Sequence, residues 1–206
     1  MKPNDFFDKI YVINLKESED RLEGFKKEAA RVGITFKRVE AIHGSNSSVQ
    51  FNGIESEGWN RNAAALALTT LNIIRDAKVN GYKKIMIFED DSFMIPQNFN
   101  SIFRRAVKRL PSEWDFFHLN TFDEIPSKWI GPCLVKLGGA WCCQAYGINE
   151  QVYDEYIAKL EKFDRPIDKM TLELHKDREM SYATKPSIVS HRIGRYSTLR
   201  ENIVQY

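Results

Sequence analysis

The segment Lys83–Ile95, KKIMIFEDDSFMI, constrains the fold more than any other part of the chain. Ile85, Met86, Ile87 and Phe88 are consecutive and apolar, so both faces of the extended chain need covering. That is the pattern of an inner strand with layers on both sides. Three carboxylates, Glu89, Asp90 and Asp91, follow at once, and SFMI turns apolar again. An ordinary surface turn more often holds Gly, Asn or Pro. Side chains alternate along an extended segment, which places Glu89 and Asp91 on one side and Asp90 on the other. Two converging carboxylates need a proton or a cation between them, and hard oxygen ligands favour Mg²⁺ or Mn²⁺. In open α/β sheets, ligands gather beyond the carboxyl ends of strands, where these acids stand. A solvated turn that merely ends a strand is the plain alternative.

The flanking sequence sets that strand in an α/β pattern. KIYVINL (Lys9 to Leu15) is also apolar on both faces. SEDRLEGFKKEAARVG then reads as a helix, with Ser18 as N-cap, Glu19 and Asp20 at its positive end, and Gly33 as its stop. Leu22, Phe25, Ala29 and Val32 recur at helical spacing, and ITFKRVEAI returns as a strand. A polar loop (His43 to Gly58) precedes the Ala- and Leu-rich helix RNAAALALTTLNIIRDAKV, closed by Asn80-Gly81. After the acids come a helix in QNFNSIFRRAVKRL, a strand in EWDFFHLN and two short strands in CLVKLGGAWCCQAYGIN. EQVYDEYIAKLEKF is amphipathic, DRPIDKMTLELHKD holds a short helix, and MSYATKP is a late strand. A basic tail begins at about residue 186. This alternation predicts one α/β domain over residues 1–206, with a mostly parallel central sheet flanked by helices.

Composition narrows the partners. The net charge of +2 gives no electrostatic footprint for nucleic acid. No apolar run is long enough to span a bilayer, and MKPNDFFDKI lacks the pattern of a signal peptide. Cys133, Cys142 and Cys143 form neither a disulfide framework nor a zinc motif. The expectation is a cytoplasmic protein, with room for a peripheral membrane contact.

Several segments carry a resemblance in order along the chain: YVINLKESEDRLEGFKKEAARVGITFKRVEAIHG, the Ala-rich helix, IMIFEDDSFM, WDFFHLN, AYGINEQVYDEYI and RPID. Together they resemble glycosyltransferase family 25, which includes lipopolysaccharide glycosyltransferases and collagen galactosyltransferases. The resemblance implies a GT-A-type fold, a nucleotide-sugar donor (UDP-galactose as the default), Mn²⁺ or Mg²⁺, and a glycan or protein acceptor. In it the acidic triplet corresponds to a DxD-like motif, with Glu89 and Asp91 as metal ligands. Asp90 then contacts the ribose or sugar, or orders the turn. The chain departs from the family where His43-Gly44 replaces the frequent Asp-Gly, and where AAALALTT replaces a Gly-Cys…Ser-His signature.

The resemblance also places the segment holding Asn14, Leu15 and Arg21 beside the nucleotide. An asparagine amide can read a base edge, and an arginine can pair with a phosphate or an acid. A strand-end cap and a surface ion pair are the structural alternatives. Asp168 in RPID is the candidate catalytic base for an inverting transfer, positioned by Pro166. A helix-terminal acid is nearly as natural there. Asp123 and Glu124 stand in reserve. His191 is a candidate third metal ligand, and Arg192, Arg195 and Arg200 suit a diphosphate. Trp141 is a candidate sugar-stacking face. A non-catalytic binding module and another metal-dependent nucleotide or phosphate enzyme are the rival readings, the latter without a P-loop in its favour.

Overall fold

A computed structural model describes residues 1–45, 61–141 and 143–191, and the backbone of residues 196–197 and 202–203. The first strand, β1 (Lys9–Asn14), leads through α1 (Glu19–Val32) to β2 (Lys37–Glu40). Then come α2 (Arg61–Val79), β3 (Lys84–Glu89), β4 (Ser92–Met94) and α3 (Phe99–Val107). Six strands follow before the next helix: β5 (Phe116–His118), β6 (Phe122–Ile125), β7 (Lys128–Gly131), β8 (Leu134–Lys136), β9 (Gly139–Trp141) and β10 (Ala145–Asn149). The helices α4 (Tyr153–Leu160) and α5 (Ile167–Arg178) precede β11 (Ser181–Thr184) and β12 (Val189–His191). A small ribbon of β13 (Tyr196–Ser197) and β14 (Asn202–Ile203) comes last.

Eight strands form the central sheet, in the order β2-β1-β3-β10-β5-β11-β8-β7. The double burial read from sequence is real. Ile10, Val12, Met86 and Phe88 face one core with Phe25 of α1 and Phe103 of α3. Tyr11, Ile13, Ile85 and Ile87 face the other, with Leu71 and Ile74 of α2, Tyr156 of α4 and Leu174 of α5. Phe88 is fully buried, its ring centroid 5.4 Å from that of Phe25, and truncating such a ring to Ala costs about 3–5 kcal/mol.

The direction of the strands differs from the sequence expectation. The sheet is mixed with an antiparallel majority, not mostly parallel. Only β1–β2, β1–β3 and β5–β11 pair parallel, whereas β3–β10, β10–β5, β11–β8 and β8–β7 pair antiparallel. The reason is that two-faced hydrophobicity reports an inner position, not a direction. AYGIN of β10 is as buried as KIMIF of β3. Direction is set by the connections, because a parallel neighbour needs a helical crossover. The first ninety or so residues supply such crossovers. Residues 119–144 run through short strands with no helix among those described, so β10 enters between β3 and β5 against their direction.

Smaller differences have local causes. Gly33 ends α1 in the left-handed region (φ 73°), as its position predicts. Ser18 is the N-cap residue but makes no side-chain cap bond. Its carbonyl instead accepts from Asn14. The stretch 133–149 contains three strands rather than two, and α5 is a full twelve-residue helix. No helix among the described residues is long and apolar enough to cross a membrane.

Candidate functional site

The parallel pairing of β1 with β3 sets Ile13 opposite Glu89, so the carboxyl ends of the two inner strands lie side by side. Asn14 ends one, and the acids end the other. Asp90 and Asp91 form the turn into β4. This turn sends neighbouring carboxylates to different partners.

Asp90 points towards β1 and α1. Its Oδ2 accepts from Asn14 Nδ2 at 2.7 Å, and its Oδ1 is ion-paired with Arg21. Asn14 is itself spent: its Nδ2 also donates to the Ser18 carbonyl at 2.9 Å, and its Oδ1 accepts from Arg38 Nε at 2.9 Å. Asn14 therefore anchors Asp90 rather than offering an amide to a base. Asp90 is only 5% exposed. That burial raises its pKa to about 6, outweighing the Arg21 charge and the Asn14 hydrogen bond that act the other way. Arg21 reaches on to Asp91 Oδ2 at 3.6 Å. Its Nε is buried without a partner among the described residues.

Glu89 and Asp91 share the other side with Asp168. Burial raises the Glu89 pKa well above the usual carboxylate range, and the charges of Asp91 and Asp168 add to that, with Arg21 opposing. Asp90 contributes least, as the alternation of side chains requires. Asp91 Oδ1 accepts from Gln144 Nε2 at 3.1 Å. Asp168, in the first turn of α5, accepts from the Cys143 backbone N–H at 3.0 Å.

A cavity of about 110 Å³ opens beside the acids. Its lining combines apolar residues, among them Ile13, Leu15, Ile42 and Leu66, with Arg21 and the three acids. Gly44 sits on its wall. A Cβ there would lie 2.5 Å from the Asn62 backbone nitrogen, so only glycine lets this loop approach the start of α2. Its neighbour His43 bonds Ser45 Oγ at 2.7 Å and lies 3.3 Å from Glu17.

Six of the residues singled out from sequence thus meet at one cavity: Asn14, Leu15, Arg21, Glu89, Asp90 and Asp91. Asp168 is not on the cavity wall and joins them through its charge, which acts on Glu89. His191 on β12 pairs across from Ser92, next in the chain to Asp91. Trp141 lies off the cavity wall, opposite Phe122 in the β6–β9 pair. The reserve acids are engaged elsewhere, Asp123 with Ser127 and Lys185, and Glu124 with Lys176. Arg192, Arg195 and Arg200 lie outside the described residues, as does most of the loop after Ser45.

The fit of a divalent cation can be judged from the donor set. Among the described residues, no three His, Cys, Asp or Glu side chains form a ready metal cage. A cation bound together with phosphates needs only one or two carboxylates, since phosphate oxygens and water complete its shell. Glu89 and Asp91 fit that smaller demand. No Glu89 side-chain hydrogen bond occurs among the described residues, and a cation there would relieve its repulsion from Asp91 and Asp168. Asp90 fits less well, because each of its oxygens already faces a donor, Asn14 or Arg21.

Sequence reasoning missed Gln144 and Asn120. Asn120 Nδ2 donates to Gln144 Oε1 at 2.9 Å, and both residues are buried. Asn120 ends the WDFFHLN segment without standing out in it, and no motif contains Gln144. They reach the site only because β10 inserts antiparallel beside β3, a direction that the apolar pattern does not carry.

A family model described as glycosyltransferase family 25 (LPS biosynthesis protein) matches residues 7–74. That span holds β1, α1, β2 and much of α2. No curated protein matches the sequence. Among solved structures, a glycosyltransferase involved in the glycosylation of the major capsid of PBCV-1 is similar over 92% of this chain and 94% of its own. The identity is 12% and the TM-score 0.54. A197 from STIV is similar over 96% and 93%, at 13% identity and a TM-score of 0.46, too low to carry an argument. The first likeness shows that this chain shares the fold of that glycosyltransferase, and at that identity it is a statement about fold alone.

Proposed function

We propose that this chain is a metal-dependent glycosyltransferase that moves a hexose, galactose by default, from a UDP-sugar to a hydroxyl of a glycan or protein acceptor. One observation carries the reading. Glu89 and Asp91 stand at the carboxyl end of β3 on the wall of a cavity lined by both apolar and charged residues, and the charges of Asp91 and of Asp168 in α5 both oppose the ionisation of Glu89. A solvated turn would not hold them together in this way.

In this reading the apolar lining residues cover the base and ribose, and the charged ones face the diphosphate. A bound Mn²⁺ or Mg²⁺ supplies Lewis-acid stabilisation of charge on the leaving diphosphate, held by Glu89 and Asp91. Arg21 adds a fixed positive charge, and its Nε, without a partner among the described residues, is a donor for a ligand oxygen. Asp90, tied down by Asn14 and Arg21, keeps the turn rigid. Asp168 accepts the proton of the acceptor hydroxyl while that oxygen bonds to the anomeric carbon. The bond from that carbon to the diphosphate breaks, UDP leaves, and the configuration inverts. The Cys143 N–H holds one Asp168 oxygen and leaves the other for the proton.

The test is product analysis. With UDP-galactose, Mn²⁺, and panels of glycans and hydroxylysine peptides, the protein should release UDP and form a galactosylated acceptor, with Asp168→Asn abolishing turnover. Pyrophosphate formation would favour nucleotidyl transfer instead. A lack of product with any donor or acceptor would favour a binding module that has lost turnover.

A further inference from the structure

Residues 143 and 144 are adjacent, yet they hold two different carboxylates. The Cys143 backbone N–H donates to Asp168 Oδ1 at 3.0 Å, and the Gln144 side chain donates to Asp91 Oδ1 at 3.1 Å. Every polar atom of the Gln144 side chain is used. Nε2 also donates to the Ser190 carbonyl at 3.3 Å, and Oε1 accepts from Asn120 at 2.9 Å. Its backbone carbonyl accepts from the Glu89 N–H at 2.8 Å and from Ser92 Oγ at 3.3 Å. The residue is 1% exposed. A buried amide with all its partners in place has one orientation, because turning it over would set donor against donor and acceptor against acceptor.

We infer that Gln144 is a positioning residue for the proposed transfer, fixing the Asp91 carboxylate in one frame with Asp168. The short segment 143–144 acts as a ruler. It sets the separation between the group that faces the diphosphate and the group that faces the acceptor hydroxyl. Through the Ser190 carbonyl it also clamps β12, which carries His191. Gln144 touches neither donor nor acceptor, so its effect runs through Asp91. The inference rests on the transfer reading for its purpose, but the hydrogen-bonded frame can be tested without it.

The test is a swap of donor and acceptor. Gln144→Met keeps the volume and removes the donor. Gln144→Glu sets a second carboxylate against Asp91, and adding Asp91→Asn restores a donor–acceptor pair with the roles exchanged. If the frame exists, Gln144→Glu lowers the unfolding midpoint by about 4 °C or more for a chain of this size, and the double variant recovers at least half of that loss. Packing alone would give no such recovery. Binding of UDP with Mn²⁺, read by calorimetry, should weaken about 10–100-fold in Gln144→Met, as for groups that orient a metal ligand. It should stay lost in the recovered double variant, because the carboxylate at position 91 is gone. Equal midpoints for the single and double variants, or wild-type affinity in Gln144→Met, would overturn the inference. A wild-type protein that binds no UDP would instead remove the transfer reading, while the swap still decides whether the frame exists.

Discussion

Two groups of wholly or partly buried polar side chains lie against this sheet, and they behave in opposite ways. At the carboxyl end of β3, Glu89, Asp90 and Asp91 carry more negative charge than Arg21 can balance, and they open onto a cavity. In the core between β5 and α5, His118 and His175 meet at 3.0 Å between their Nε2 atoms, both essentially without exposure. Packed around them are Phe116 and Tyr146. One ring must donate and the other accept, so at least one is neutral. The two histidine rings bond each other and are closed to solvent, although His175 Nδ1 has no hydrogen-bond partner among the described residues. The acidic group is unbalanced and reachable. Burial alone therefore does not mark a site. Uncompensated charge beside open space does.

The contrast can be broken most sharply at Asp91. Replacing it with Ala should weaken binding of UDP with Mn²⁺ more than 100-fold, beyond the 10–100-fold typical of groups that only orient a ligand, with little loss of stability. Arg21→Met should act on stability. Asp90 would keep only Asn14 as a partner, and urea unfolding should show a loss of about 2–3 kcal/mol. That lies below the cost of breaking a fully dry pair because Arg21 retains some exposure and Asp90 can take up a proton.

The histidine pair predicts a pH dependence that the acids do not share. Burial, followed by the neighbouring His118, holds the His175 pKa well below its ordinary value. The unfolded chain therefore binds a proton that the folded chain does not. Stability should fall as pH drops below about 6.5, by up to ~1.4 kcal/mol per unit for one such group. The midpoint of thermal unfolding of His175→Gln, taken relative to the wild type, should shift in the variant's favour as pH drops from 7 to 5. The smallest effect belongs to an exposed pair, Lys136 with Glu179 at 3.0 Å. Lys136→Ala should cost less than ~1 kcal/mol and leave both buried groups unchanged.

The two regions also differ in how far the sequence reveals them. The acidic site stands on β1, α1 and β3, where the apolar runs, the Gly33 stop and the acid triplet each have a local physical meaning. Asn14, Arg21, Glu89, Asp90 and Asp91 could all be singled out there. Asp168 could be too, since a proline turn before a helix is a local signal. The second half resisted. Double burial of AYGIN and MSYAT gives their place in the sheet but not their direction. Gln144 and Asn120 matter only through that direction. Likewise, His118 and His175 are 57 residues apart, and nothing in either segment announces the other. What Asn14 does also emerged only from geometry, because an amide able to read a base is indistinguishable in sequence from one consumed by Asp90, Ser18 and Arg38.

The central claim is that the acidic turn holds a cation against a nucleotide diphosphate. Calorimetric titration of UDP into the wild-type protein, with Mn²⁺ and then with EDTA, tests it most directly. Saturable binding that needs the metal is the predicted result. Absence of binding in both conditions would contradict the claim and leave Glu89, Asp90 and Asp91 as the structural end of a strand.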